Sequence, residues 1–182
     1  MRVLVLAEDH HYEPVRRIVD RAGIRGVRIT PMRGNRVQKL VGYVRCHPEY
    51  DMFVVLKDLE RLDEEAVRRR LEDVRRALPP GGRDKVVFVV VRRAVEAWVL
   101  ADPDAIEEAI GCEIGRRTRQ RLANPEAIEE PKEELKKMFR RCGKIFNANL
   151  VARIAERIRL NVARQKARSL DEFLRAISSS GR

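Results

Sequence analysis

Four short runs of apolar and β-branched residues alternate with helix-forming segments in the first half of the chain. These runs, which are typical of strands buried on both faces, lie at residues 2–7, 26–31, 52–57 and 85–91. Parallel strands need connections of helical length, and the intervening segments supply them. The pattern therefore predicts an α/β fold with a small, mostly parallel sheet of about four strands flanked by helices. Because the last run is the most apolar, we expect it to be the central strand.

After residue 93 the strand pattern stops and helical patterns take its place. Helices are predicted at residues 94–101, from Asp102-Pro103 onward, and at 132–142, 147–160 and 169–178. This change of pattern predicts two parts. The first is an α/β core over residues 1–93, and the second is a C-terminal helical appendage over residues 94–182 that packs on the core.

The composition limits the class of protein. No apolar run approaches the roughly 20 residues that a membrane helix needs, and the first strand begins too near Met1 to leave space for a signal peptide. A cytoplasmic protein without a membrane partner is therefore expected. The formal net charge is +11 and charged residues make up 37% of the chain. These values fit either a nucleic-acid partner or the ion-paired surface of a thermophilic protein.

Several common kinds of site lack their motifs. Cys46, Cys112 and Cys142 lie far apart without C-x-x-C spacing, so neither structural zinc nor a disulfide framework is expected. The chain contains no G-x-G-x-x-G, no G-x-x-x-x-G-K-[ST] and no G-x-S-x-G. Nucleotide binding and serine hydrolysis are therefore disfavoured. A role as the binding subunit of a partner ATPase is one option that this leaves open.

Acidic residues follow two of the predicted strands. Glu8 comes directly after the first strand, and Asp58 and Glu60 follow the third. The carboxyl ends of parallel strands meet at one edge of a sheet, where ligands bind in open α/β folds. Carboxylates gathered there suit a hard divalent cation, Mg²⁺ or Mn²⁺, which also binds phosphate oxygens. The competing interpretation is that these acids cap the helices that follow.

Other polar residues near this edge have two interpretations each. Glu96 lies among apolar residues after the fourth strand, where a buried carboxylate needs either a metal ion or an arginine. His10 and His11 are candidate metal ligands or proton shuttles, although an exposed pair in a loop is favoured. Lys57 could contact a phosphate or form an ordinary ion pair at the strand end.

Basic runs supply candidate contacts to a polyanion. The run between Gly115 and Pro125 has few acids among it and is the best candidate for phosphate-backbone contacts. Aromatic residues are only 5% of the chain and do not interleave with these runs, which argues against recognition of single strands by base stacking. The candidate nucleic-acid-binding residues are Lys57, Arg92, Arg93, Arg116, Arg117, Arg119 and Arg121.

Three segments resemble those of a known family. The segment Val95–Asp102, which reads VEAWVLAD, is followed by Pro131–Leu135, which reads PKEEL, and later by Phe173-Leu174. Together with the acidic strand ends, these segments resemble an uncharacterised prokaryotic family related to the Toprim domain of topoisomerases, primases and nucleases. The resemblance covers most of the chain and implies a Toprim-like sheet.

The resemblance also implies roles for the acids. Toprim acids bind Mg²⁺ and assist phosphoryl transfer, which makes Glu8, Asp58 and Glu60 catalytic and metal-binding candidates and adds Glu96 as a further metal-site residue. The chain departs from the family pattern at three positions: Asp9 stands where Gly is usual, Glu60 where Asp is usual, and Ala94 where the family segment has Glu.

These observations lead to two hypotheses. The first is a Mg²⁺- or Mn²⁺-dependent phosphodiesterase, or related phosphoryl-transfer protein, that acts on nucleic acid as a nuclease would. The alternative is a non-catalytic module on the same fold that binds nucleic acid or a protein partner. Carboxylates that converge on one point favour the first hypothesis, and acids paired with arginines favour the second.

Overall fold

The computed structural model describes residues 1–32, 39–59 and 62–178. Its sheet is all-parallel and has the strand order β2-β1-β3-β4. The strands are β1 (Val3–Ala7), β2 (Val27–Pro31), β3 (Met52–Asp58) and β4 (Val86–Val91). The predicted class is therefore confirmed: an α/β fold with a four-stranded parallel sheet, flanking helices and a helical C-terminal part.

Helices connect the strands and then continue to the end of the described chain. Those between strands are α1 (Tyr12–Ala22), α2 (Leu40–Cys46) and α3 (Glu64–Arg76). Those after the sheet are α4 (Val95–Leu100), α5 (Pro103–Ile110), α6 (Arg116–Arg121), α7 (Pro131–Arg141), α8 (Ala148–Arg157), α9 (Leu160–Lys166) and α10 (Arg168–Ser178).

The helix ends follow local chemistry. The Asp63 carboxylate accepts a hydrogen bond of 2.7 Å from the backbone N–H of Ala66, which caps α3. Gly23 ends α1 with φ of 66°, a left-handed conformation that glycine adopts without strain. Pro103 opens α5 directly after its capping residue, Asp102. These signals are short-range, so they act in the same way wherever the helix packs.

The two faces of the sheet bury different helices. Alternate residues of each strand point to opposite faces. Leu4 and Leu6 of β1 pack in the apolar cluster that includes α2 and α3. Val3 and Val5 pack in the cluster that includes α1 and the C-terminal helices. The helical part thus forms one wall of the core, and the division at residue 93 stays a prediction.

Trp98 anchors the helical part on this second face. Its ring stacks on that of Phe173 with 5.4 Å between the centroids, and its indole N–H donates a hydrogen bond of 2.8 Å to Ser169 Oγ. Glu126 accepts a hydrogen bond from the same hydroxyl. Helices α4 and α10 are therefore joined by both apolar and polar contacts.

Three expectations were wrong. β4 lies at one edge of the described sheet, and it is apolar because α3 and α10 cover its two faces. The helix predicted over residues 147–160 ends at Arg157, and α9 starts separately at Leu160. Cys112 and Cys142 form a disulfide between the ends of α5 and α7, which their distance in the sequence did not suggest.

In the described ranges, every helix is either too short or too polar to cross a bilayer.

Candidate metal centre

Three of the predicted acids meet at the carboxyl edge of the sheet. Glu8 directly follows β1 and Asp58 is the last residue of β3, and these neighbouring strands run parallel. Glu96 comes from the first turn of α4, which follows β4 after a tight turn. All three residues are buried. Glu60 lies outside the described residues, so its predicted place in this group is untested.

His11 lies between two of these acids. Its Nδ1 is 3.3 Å from Asp58 Oδ2, and its Nε2 is 3.2 Å from Glu96 Oε2. A 3₁₀ turn over Asp9–His11 leads from β1 into α1 and directs this side chain inward, where only 3% of its surface is exposed. The expectation of an exposed histidine pair was therefore wrong for His11. It holds for His10, whose side chain is 56% exposed.

Glu8 has one carboxylate oxygen that is buried without a hydrogen bond from the described residues. Its Oε1 lies 3.5 Å from Lys57 Nζ, a distance that allows an ion pair, but no described residue hydrogen-bonds this buried atom. Its Oε2 lies 4.0 Å from His10 Nε2. A carboxylate oxygen that is buried without a hydrogen bond costs free energy, because it has lost its hydrogen bonds to water. The oxygen is therefore well suited to a cation.

Proton equilibria in the site reflect the crowding of negative charge. Burial raises the pKa of Asp58 to about 7, and the charges of Glu8 and Glu96 act in the same direction. Burial alone would lower the pKa of His11, but its hydrogen bond to Glu96 and the nearby carboxylates outweigh burial and raise that pKa.

Glu96 behaves in the opposite way from Asp58. Burial would raise the pKa of Glu96, yet its hydrogen bond with His11 lowers it. The contacts of His11 thus raise its own pKa and lower that of Glu96, whereas burial raises that of Asp58. A divalent cation would favour the ionised form of Asp58. The donor set is mostly hard oxygen, so the residues present fit a divalent cation.

A cleft of about 370 Å³ gives access to the site. Its lining includes Asp58 and Glu96 together with the cationic residues Arg93 and Lys132. Acids from the Glu129–Glu133 segment share this lining, so the cleft has mixed charge. Such a surface can contact both a metal ion and the phosphate that the ion would bind.

The residues predicted to contact nucleic acid lie in different environments. Lys57 is beside Glu8, Arg92 Nη2 is 3.9 Å from Glu64 Oε2, and Arg93 lines the cleft. Arg116 and Arg117 are exposed on α6. Arg119 is bound by Asp104 at 2.7 Å and by Glu107, and Arg121 pairs with Glu134. Arg119 and Arg121 of the predicted basic run are therefore already engaged by acids of the chain.

Sequence reasoning missed two members of the site. It favoured surface exposure over a ligand role for His11, and it gave no role in the site to Lys132, which lies in the PKEEL segment at the start of α7. The position of His11 three residues after Glu8 was a weak signal, since one 3₁₀ turn brings these residues close. Lys132 had no local signal, because only the packing of α7 places it at the cleft.

Comparisons with known proteins agree with this architecture. The structure is similar to the C-terminal region of the Burkholderia pseudomallei OLD protein, with 18% sequence identity, a TM-score of 0.53, and coverage of 96% of this chain and 97% of that chain. It is also similar to the C-terminal region of the Xanthomonas campestris pv. campestris OLD protein, with 19% identity, a TM-score of 0.51, and coverage of 98% and 96%. At such identities the likeness shows a shared fold.

No curated protein is significantly similar in sequence. A family model described as a domain of unknown function, DUF4276, matches residues 6–178. This match includes the strand ends and helices that build the candidate metal centre, and it extends through α10. The chain therefore belongs to the DUF4276 family.

Proposed function

We propose that this protein is a divalent-metal-dependent phosphodiesterase, or a related phosphoryl-transfer protein, that acts on nucleic acid. The observation that carries the proposal is the burial of Glu8, Asp58 and Glu96 at the carboxyl edge of the sheet, where His11 contacts Asp58 and Glu96. There, Glu8 Oε1 has no hydrogen-bond partner among the described residues. Buried carboxylates are otherwise paired or bound to metal.

Glu8 and Asp58 would hold the cation, with Glu96 beside them and Glu60 as a further predicted ligand. Mg²⁺ or Mn²⁺ suits these oxygen donors. When bound, such an ion neutralises charge on a phosphate and lowers the pKa of a water molecule.

The chain's own residues would position the substrate. Arg93 and Lys132, which line the cleft, would bind phosphate oxygens. Arg116 and Arg117 on α6 would contact the nucleic-acid backbone, which orients a strand without reading its sequence. His11 would keep Asp58 and Glu96 in place through its two ring nitrogens.

A non-catalytic binding module is the second candidate. It is favoured by the basic side chains already beside the acids: Lys57 lies near Glu8, and His11 lies between Asp58 and Glu96. These contacts partly offset the negative charge without metal. Both similar structures are regions of longer proteins, so a partner, including an ATPase, also belongs among the proposals.

Asp58→Asn separates the two candidates. We expect this variant to lose Mg²⁺-dependent cleavage and to bind Mn²⁺ more weakly in calorimetry. Its affinity for nucleic acid should be retained or improved, because removal of a negative charge near a phosphate reduces repulsion. Asp51→Asn is the matched control. It makes the same change beside the opposite end of β3, where Asp51 is exposed and accepts a hydrogen bond from the backbone of Arg2.

Two results would count against these proposals. Equal Mn²⁺ affinity of the wild type and Asp58→Asn would contradict the metal centre. If the wild type cleaves neither DNA nor RNA, in single-stranded, duplex or structured form, with Mg²⁺ or Mn²⁺ at elevated temperature, the catalytic proposal is wrong and the binding module replaces it.

A further inference from the structure

We infer that this centre prefers a transition-metal ion that accepts nitrogen ligands, such as Zn²⁺, Co²⁺ or Ni²⁺, over Mg²⁺, through Glu8, His10 and His11. The inference rests on the proposed function, which requires only a divalent cation held by carboxylates. Each of the three residues offers one ligand atom, and these atoms all lie within 4.8 Å of one another. A small movement of the side chains would bring them to ligand distances of about 2 Å from one ion.

Glu8 has a buried oxygen, which is an independent observation that points to a cation at this site. Only 7% of its surface is exposed, and its Oε1 has no hydrogen-bond partner in the described part of the chain. Its other oxygen faces His10 Nε2 at 4.0 Å, which is too far for a hydrogen bond but suitable for two atoms that share an ion. The carboxylate thus lies beside Lys57 and His10 without a direct hydrogen bond to either.

His11 has the environment of a supported metal ligand. Each ring nitrogen faces a carboxylate, Asp58 on one side and Glu96 on the other. If one nitrogen bound a metal ion, the other would still donate to a carboxylate. This carboxylate–histidine arrangement orients metal-bound imidazoles in many proteins and strengthens them as ligands.

His10 lies at the accessible side of the same group. Its ring centroid is 3.8 Å from that of His11, and more than half of its side chain is exposed. Both histidines line the cleft and also a smaller cavity of about 60 Å³. An ion between them could therefore keep one or more ligand positions open to solvent or substrate, as catalytic metal sites do.

The choice of ion follows from ligand chemistry. Mg²⁺ binds oxygen ligands and gives up its water molecules reluctantly. Imidazole suits Zn²⁺ and Ni²⁺, and later first-row divalent ions bind mixed nitrogen and oxygen sites more tightly than Mn²⁺ does. Two histidines at the centre should therefore raise the affinity for such ions and leave that for Mg²⁺ almost unchanged.

His10→Ala tests this inference because His10 is exposed and its removal should not disturb the core. The chelator-treated full chain is titrated with Zn²⁺ and with Mg²⁺ in a calorimeter, and Co²⁺ binding is followed by visible absorption. We expect His10→Ala to weaken Zn²⁺ and Co²⁺ binding by at least about tenfold and to change the Co²⁺ spectrum. Mg²⁺ affinity should change by less than about twofold.

His47→Ala is the matched control, since His47 is the remaining histidine of the chain and its side chain contacts Glu49, Tyr43 and Tyr50. It should leave all three metal affinities unchanged. If His10→Ala binds Zn²⁺ as tightly as the wild type while Asp58→Asn binds it more weakly, the inference is wrong and the carboxylate centre of the proposed function stands. If the wild type binds none of these ions, both are wrong.

Discussion

Arg93 is a single residue whose backbone conformation helps to fix the position of Glu96 in the candidate site. It is the non-glycine residue with positive φ in the described part of the chain, at 68°. The N–H of Ala94 donates a hydrogen bond of 3.1 Å to the carbonyl of Arg92, so Arg93 is the central residue of a three-residue turn. Turns of this kind with positive φ are rare and strained. The turn leads from β4 directly into α4 and so sets the position of Glu96.

Replacing Arg93 by Gly and by Ala separates strain from side-chain contacts. Both changes remove the same guanidinium group, but only glycine adopts this backbone conformation freely. We expect Arg93→Gly to be more stable than Arg93→Ala by about 1 kcal/mol. Alanine incurs the energetic penalty of a positive φ in the folded state, and this penalty exceeds the extra conformational entropy that glycine gives to the unfolded chain. Guanidinium chloride unfolding measures this difference. Equal stabilities would show that the turn relaxes without cost.

Asp102 shows how elements are joined. Its buried carboxylate caps α5 and also accepts three hydrogen bonds from Arg159, one from the backbone N–H at 2.8 Å and two from the guanidinium at 3.0 and 2.6 Å. Arg159 lies between α8 and α9, so the ion pair fixes the break that divides these helices. Burial opposes ionisation of Asp102, but the bonds from Arg159 outweigh it and lower the pKa of Asp102.

This lowered pKa predicts a pH-dependent stability. A carboxyl whose pKa is lower in the folded state adds stability above its unfolded pKa, about 3.9, and loses it as pH falls through the folded value. Asp102→Asn should therefore lower the free energy of unfolding by about 2 kcal/mol at pH 7, since charged hydrogen bonds are lost. The difference should shrink below about pH 4 and vanish in stronger acid. Urea unfolding from pH 2 to pH 7 measures it.

Glu108→Gln is the control on the same helix. Glu108 Oε1 is 3.1 Å from Arg157 Nε, but its side chain is 68% exposed. Exposed pairs contribute under about 1 kcal/mol. A comparable loss in both variants would indicate a general effect of charge on α5 rather than the buried link to Arg159.

At the scale of the whole molecule, the net charge of +11 predicts salt-sensitive binding to nucleic acid. Each arginine that neutralises a phosphate releases a counterion and adds about 1 to the salt slope. Changing both Arg116 and Arg117 to Ala should therefore lower the slope by up to about 2 in fluorescence anisotropy with duplex DNA.

A second double variant tests whether the salt dependence of binding comes from the arginines of α6 or from the total charge of the protein. Arg68 and Arg69 on α3 are also exposed and form helix ion pairs with Glu64 and Glu65. Their replacement removes the same charge on the other side of the sheet. If both double variants change the slope equally, binding is diffuse. An unchanged slope in the α6 variant would place the interface elsewhere, and no binding of the wild type at low salt would exclude a nucleic-acid surface.

The sequence alone determined the features that depend on near neighbours. The alternation of apolar runs and helical segments predicted the strands and the parallel sheet, and Asp63 and Gly23 marked helix ends where they occur. The acids at the ends of β1 and β3 were predicted to share one edge because parallel strands end together. These properties arise from backbone periodicity and from hydrogen bonds within a few residues, which a sequence displays directly.

Only the tertiary structure decided which distant residues meet. His11 and Glu96 are 85 positions apart, Asp102 and Arg159 are 57 apart, and Cys112 and Cys142 are 30 apart. The edge position of β4 likewise depends on how the crossovers order the strands. A local sequence pattern predicts which face of a helix or strand is buried, but it does not predict which other element packs against that face. The burial of His11, the disulfide and the pairing of Arg119 with Asp104 therefore follow from packing, and so does the composition of the candidate site.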